Sequence, residues 1–156
     1  MTDVLLYWRD YRKNWKTQFS GSGAPPWHTK AKLLGDLDAG DHLWIVTSGK
    51  LVEQSAEQDG FLVAIWTVDR AIENPGDDPA YPRHDYRYRI LVDTDESISF
   101  SDPVPVDHIL RPAGRDKAVS IGRFLQSPQK LADNKLRLLR AAAGPDLALK
   151  WLTGTK

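Results

Sequence analysis

The chain has 156 residues, with 21 Lys and Arg balanced by 21 Asp and Glu, six tryptophans, one methionine and no cysteine. A chain of this length buries roughly 70% of its unfolded surface and needs no disulfide or metal to hold a core; the lack of cysteine excludes a disulfide scaffold, a thiol nucleophile, an Fe–S cluster and a Cys-ligated zinc site. No apolar run approaches the roughly 18 residues of a membrane-spanning helix, and the opening MTDVLLYWRD lacks the basic region of a secretory signal, so a cytoplasmic protein is expected.

Residues 4–8 (VLLYW) form a short apolar run that predicts a buried strand. Residues 20–26 (SGSGAPP) have loop chemistry throughout, and residues 27–34 (WHTKAKLL) predict a short helix starting after the prolines. A turn at residues 37–41 leads into residues 42–48 (HLWIVTS), rich in the branched and aromatic side chains of a strand. Residues 49–60 are polar and suit a long hairpin connection. The nearly all-apolar residues 60–68 (GFLVAIWTV) predict a strand covered on both faces. An exposed acidic loop with Pro75 and Pro79 follows, then a strand over residues 86–92 and a further short one over 98–100. In the tail, Ser127 and Pro128 suit an N-cap and first helical position, with Leu131, Leu138, Leu139 and Ala142 at helical spacing after them. Gly144 and Pro145 stop that helix, and residues 147–152 suit a last turn or two. The pattern predicts one α+β domain: a five- to six-stranded curved or closed sheet over residues 1–112 and a helical extension over 113–156.

The zero net charge conceals segregation. Residues 1–32 carry a net +4, residues 33–82 a net −8 and residues 83–156 a net +4. Such a distribution either places a basic stripe on a neutral domain, the electrostatic footprint of nucleic-acid binding, or reflects solvated faces. Reliance on phosphate contacts alone would demand a far more basic chain, so any nucleic acid is expected in a local groove.

Catalytic signatures are absent. His28, His42, His84 and His108 show neither an i, i+4 pair nor an HExxH frame, and no metal or cofactor is expected. No GxSxG frame occurs, and no SxxK motif of the penicillin-binding type. Asp36, Asp38 and Asp41 cluster before a strand, where turn solvation explains them. No catalytic residue is therefore assigned, and the balance favours a non-enzymatic protein.

The tryptophans carry more. Indole faces stack on nucleobases for roughly 1–3 kcal/mol per base and enclose methylated groups in aromatic cages. Trp44 and Trp66 lie in strands, where core packing is the ordinary role, and Trp15 and Trp151 suit helix–sheet seals. Trp27 stands at the mouth of a Gly/Ser/Pro loop with His28, Lys30 and Lys32 behind it, a placement that suits a ligand contact as well as core packing.

The order of elements resembles the EVE branch of the PUA-like superfamily, related to YTH and ASCH domains. The resemblance spans residues ~4–110 and rests on the turn-to-strand pattern of residues 37–46 (LDAGDHLWIV) and the strand pattern of residues 60–68. It implies a pseudobarrel with flanking helices and a pocket for a flipped or single-stranded modified base. Trp8 and Trp27 match pocket tryptophans of that family. After Trp27 the chain departs from the family, reading His28-Thr29-Lys30-Ala31-Lys32, and the ASCH-type GxKxxTxR motif is absent.

The expectation is therefore a reader of a modified nucleobase in DNA or RNA. Trp8 and Trp27 would stack on the base, Trp44 or Trp66 would form the wall or floor, and Lys30, Lys32, Arg87 and Arg89 would hold the flanking phosphates. Any cleavage would require an effector nuclease in trans. Two alternatives remain: a protein-interaction module with a filled pocket that docks through the C-terminal helix, or a small hydrolase of modified nucleosides using acids of the 36–41 turn.

Overall fold

Strands that are apolar on both sides must be covered on both sides, and this requirement organises the molecule. The computed structural model describes residues 1–9, 26–112 and 119–144. Within them, β1 (Asp3–Tyr7), β2 (Trp27–Thr29), α1 (Lys32–Gly35), β3 (His42–Ser48), β4 (Gly60–Glu73) and β5 (Tyr88–Pro105) are followed by α2 (Asp107–Leu110), α3 (Ile121–Phe124), β6 (Gln129–Lys130) and α4 (Asp133–Ala143). The six strands form one mixed sheet in the order β2-β5-β4-β3-β1-β6, in which β1 and β3 run parallel and every other pair antiparallel. The sheet curls into a half-barrel, giving an α+β barrel-like fold. No helix among the described residues is long and apolar enough to cross a membrane.

Alternation along the strands separates two cores. Val4, Leu6, Trp8, Leu43, Ile45 and Trp66 share one face, covered by α1 and Trp27. Leu5, Trp44, Val46, Leu62 and Ile65 occupy the other, covered by α2, α3 and α4 through Ile109, Ile121 and Leu139. The turn before β3 is built on Asp41, whose buried carboxylate accepts from the amides of Thr2 (2.8 Å) and Asp38 (2.8 Å). Gly40 supplies the left-handed conformation the turn needs, at φ +92°.

Several segments depart from the sequence reading. The helix expected over residues 27–34 is split: Trp27–Thr29 pairs with Ile90, Arg89 and Tyr88 at the sheet edge, and only Lys32–Gly35 is helical. The two strands expected at 86–92 and 98–100 are one, because Ser97 bridges the irregularity between them. Its hydroxyl donates to the Asp93 carbonyl (2.6 Å) and accepts from the Thr67 amide (2.9 Å). Helical structure expected from Ser127 begins instead at Asp133, since Gln129 and Lys130 first pair with Leu5 and Val4. The expected loop at 20–25 and last turn at 147–152 lie outside the described residues.

Two networks around buried charged groups tie the layers together. Arg111 donates to the Asp107 carboxylate (2.7 Å), to the Val119 carbonyl (2.7 Å) and to the Gln58 carbonyl (3.1 Å), while Asp107 also accepts from the Gly60 amide (2.9 Å). This network fixes the chain just ahead of α3. On the same face, the Asp3 carboxylate accepts from Trp44 Nε1 (3.0 Å) and lies 3.3 Å from His42 Nδ1. Burial alone would raise the Asp3 pKa, but the hydrogen bonds from His42 and Trp44, with the charges of His42 and Arg140, outweigh it and hold the carboxyl below its ordinary value.

A depressed carboxylate pKa stabilises the fold above its unfolded value, and that contribution disappears as pH falls through the folded value. Asp3→Asn is therefore expected to lower stability by about 1–3 kcal/mol at pH 7. It should also flatten the decline in stability below the ordinary aspartate value of 3.8. Thermal unfolding of both proteins at pH 7 and at pH 3 checks this; parallel acid losses would assign the decline to other groups.

Candidate functional site

Where β1 ends, Trp8 is pinned through its backbone: its amide donates to the Val46 carbonyl (2.8 Å) and its carbonyl accepts from Thr47 Oγ1 (2.9 Å). Trp66 projects from the middle of β4 and donates through Nε1 to Ser99 Oγ (3.3 Å). Trp27 opens the edge strand β2. The three indoles meet edge to face: Trp8 and Trp66 have ring centroids 5.5 Å apart, Trp8 and Trp27 6.1 Å, and Trp27 and Trp66 6.4 Å, with interplanar angles of 67–70°. At these separations the rings touch, and each such pair adds about 0.5–1.5 kcal/mol beyond its area burial. Trp66 and Trp8 are buried while Trp27 is half-buried, so the triad forms a filled aromatic floor whose outer member is Trp27.

A cleft of about 570 Å³ opens against this floor, within the ~300–1,000 Å³ typical of small-molecule sites. One side is made by His28, Tyr81 and Tyr86. The His28 ring stacks on Tyr81 (4.0 Å, 9°), and Tyr81 meets Tyr86 edge-on (5.1 Å, 80°). Asn74 sets these two tyrosines. It is completely buried, and its Nδ2 donates to the carbonyls of Tyr81 (2.8 Å) and Tyr86 (2.7 Å) while its Oδ1 accepts from the Gly76 amide (3.1 Å).

The His28 imidazole titrates below its ordinary value. Burial lowers its pKa first, and the Arg89 charge lowers it further against the opposing pull of Asp78 and Asp77. Arg89 Nε donates to His28 Nε2 (2.9 Å), so the ring proton resides on Nδ1. The Arg89 guanidinium also pairs with Asp77, whose carboxyl that hydrogen bond holds below its ordinary value.

The end of β1 and the α3 segment complete the lining, with Tyr7 and Arg9 from the first and Ser120, Gly122, Arg123 and Gln126 from the second. A Cβ at Gly122 would lie 2.8 Å from the Tyr7 ring, closer than any side chain tolerates, so glycine permits this approach.

Three of the four expected pocket tryptophans thus converge: Trp8, Trp27 and Trp66. Trp44 does not. It lies in the other core, and alternation along β3 turns it away from the cleft toward Asp3. None of the four cations expected to hold phosphate lines the cleft. Lys30 is exposed outside it, Lys32 pairs with Asp36 (3.0 Å), Arg87 lies over the Tyr88 ring (5.3 Å), and Arg89 is engaged by Asp77 and His28. The acids of the 36–41 turn do not line this cleft either: Asp36 pairs with Lys32, and Asp41 accepts from the Asp38 amide within the turn. The cations that do reach the cleft are Arg9 and Arg123, and the further aromatics are Tyr81 and Tyr86. Arg9 beside Trp8, and two tyrosines closing an Asn-Pro-Gly loop, were the available signals in the sequence.

No protein-family model matches the chain, and no curated protein matches it in sequence. Solved structures do resemble it. The NMR structure of a structural-genomics target from Rhodopseudomonas palustris aligns with TM-score 0.53 and 17% identity over 91% of this chain and 92% of that one. A hypothetical protein from Leishmania major aligns with TM-score 0.51 and 10% identity over 92% and 95%. These likenesses establish a shared fold.

Asn74→Ala would leave two carbonyls without their donor, and is expected to destabilise the protein by about 1–3 kcal/mol. It should also speed amide exchange selectively across residues 75–87. Hydrogen–deuterium exchange with thermal unfolding checks this; unchanged exchange in that segment would show that Asn74 does not hold the loop.

Proposed function

We propose that the protein is a non-enzymatic nucleic-acid-binding module whose cleft receives a nucleobase, plausibly a modified one, from single-stranded or locally opened DNA or RNA. The observation that carries this reading is the tryptophan triad at the base of a nucleotide-sized cleft. Trp27 presents its ring at the edge of that floor, and His28, Tyr81 and Tyr86 form an aromatic wall beside it. Aromatic surfaces of this kind bind bases by stacking, because every base has a π-face. Extruding a base costs a few kcal/mol, which stacking offsets.

The PUA/EVE-like reading is supported by the placement of its motifs. The 37–41 turn opens β3, Gly60 opens β4, and Trp8 and Trp27 share one cleft. Trp66 supplies the floor. In this reading any cleavage of the bound nucleic acid falls to a nuclease acting in trans.

Trp27→Ala is the direct test, since Trp27 is the half-buried member of the triad. Loss of one base stack predicts affinity lowered roughly fivefold to over a hundredfold for single-stranded oligonucleotides. The readout is anisotropy of labelled DNA and RNA, with and without methylated bases, at two salt concentrations. A modification-dependent affinity that varies little with salt supports a base pocket, since phosphate-only binding falls steeply with salt. Unchanged affinity in a folded Trp27→Ala protein would overturn the assignment.

A further inference from the structure

We propose that the cleft has a second compartment, a phosphate subsite made by Arg9 and Arg123, so that its minimal ligand is a nucleotide unit rather than a bare base. This inference rests on the nucleobase reading above. Both arginines are exposed and line the same cleft, Arg9 beyond the end of β1 and Arg123 within α3. The contact between Gly122 and the Tyr7 ring seats α3 against the end of β1, and the Arg111 network anchors the chain at Val119 just before it. Two cations from distant parts of the chain thereby line one cleft. Guanidinium groups bind phosphate oxygens in paired, directional hydrogen bonds, and Ser120 and Gln126 add polar groups to the same lining.

Among the described residues the lining carries two guanidinium groups and no carboxylate, so Arg9 and Arg123 set its charge. Asp77 and Asp78 act on His28 from outside that lining, where Arg89 pairs with Asp77 and His28. A phosphate is therefore favoured beside Arg9 and Arg123. The base then lies against Trp27 and the tyrosines. The same charge disfavours the other ligand class that aromatic sites take, a methylated ammonium group, which two nearby guanidinium groups would repel.

The test compares nucleosides with their 3′- and 5′-monophosphates, ribo and deoxy, methylated and unmethylated. A short single-stranded oligonucleotide and a trimethyl-lysine peptide complete the set. Calorimetric titration of the full chain is run beside the Arg9→Gln/Arg123→Gln double variant, its folding checked by thermal unfolding. Monophosphates are expected to bind about tenfold or more tightly than their nucleosides. The double variant should abolish that preference and weaken the oligonucleotide by a similar factor with a shallower salt dependence, while Lys30→Gln/Lys32→Gln leaves both unchanged. Nucleosides that bind as tightly as their phosphates, or an oligonucleotide indifferent to the double variant, overturn the phosphate subsite and leave the base pocket standing. Binding of the methylated peptide with no nucleotide or oligonucleotide affinity overturns both readings.

Discussion

The contact between Trp8 and Trp27 is the constraint from which the shape of the molecule follows. β2 lies at one edge of the sheet and β1 is next to the other edge, four strand spacings away. In a flat sheet that distance is about 19 Å, yet the two indoles meet with ring centroids 6.1 Å apart. The sheet must curl to close that gap, and Trp66, rising from the middle of β4, fills the space beneath the meeting point. The half-barrel and the aromatic floor are one feature described twice. Bringing the two ends of the sheet together also brings together what each carries: the β5 end with its tyrosine loop, and the β1 end with α3.

That closure gathers charge from distant segments at one cleft. The basic first and last segments contribute Arg9 and Arg123 to its lining, while Asp77 and Asp78 of the acidic middle act on His28 from outside that lining. A protein of zero net charge acquires a local field by folding cations from both of its basic segments onto one cleft. Such a field exerts little long-range attraction, but inside a cleft with low-dielectric walls it orients whatever enters.

The strands that were legible in the sequence are those whose residues face apolar surroundings on both sides: β1, β3 and β4 stand where their apolar runs predicted them. Segments whose structure is set by a distant partner were not. Trp27–Thr29 has no strand signal of its own and is extended because the β5 edge at Tyr88–Ile90 offers it hydrogen bonds. Gln129 and Lys130 pair with β1 for the same reason. The site divides in the same way. Trp8 and Trp27 could be singled out by position, but separating Trp66 from Trp44 requires the register between β3 and β4. That register sets Trp66 beside Leu43 and Trp44 beside Ile65, on opposite faces. The phosphate assignment to Lys30, Lys32, Arg87 and Arg89 followed neighbourhood in sequence. Arg123 reaches the cleft through long-range contacts of α3, among them the Tyr7–Gly122 approach, which joins residues more than a hundred positions apart.

The floor and the rim of the cleft answer to different demands. Trp66 is fully buried and Trp8 nearly so, and both are built into the hydrophobic core that holds β1, β3 and β4 to α1. Removing a buried tryptophan costs about 3–5 kcal/mol, a large share of the 5–15 kcal/mol that stabilises a typical domain. The floor therefore cannot be varied without endangering the fold. Trp27, Tyr81 and Tyr86 are half-buried, Arg9 and Arg123 are exposed, and all five sit at an edge strand, a loop or a short helix. Changes there reshape the cleft at small structural expense. The rim is consequently the part of the cleft that can vary, while the buried tryptophans supply an unvarying aromatic base beneath it.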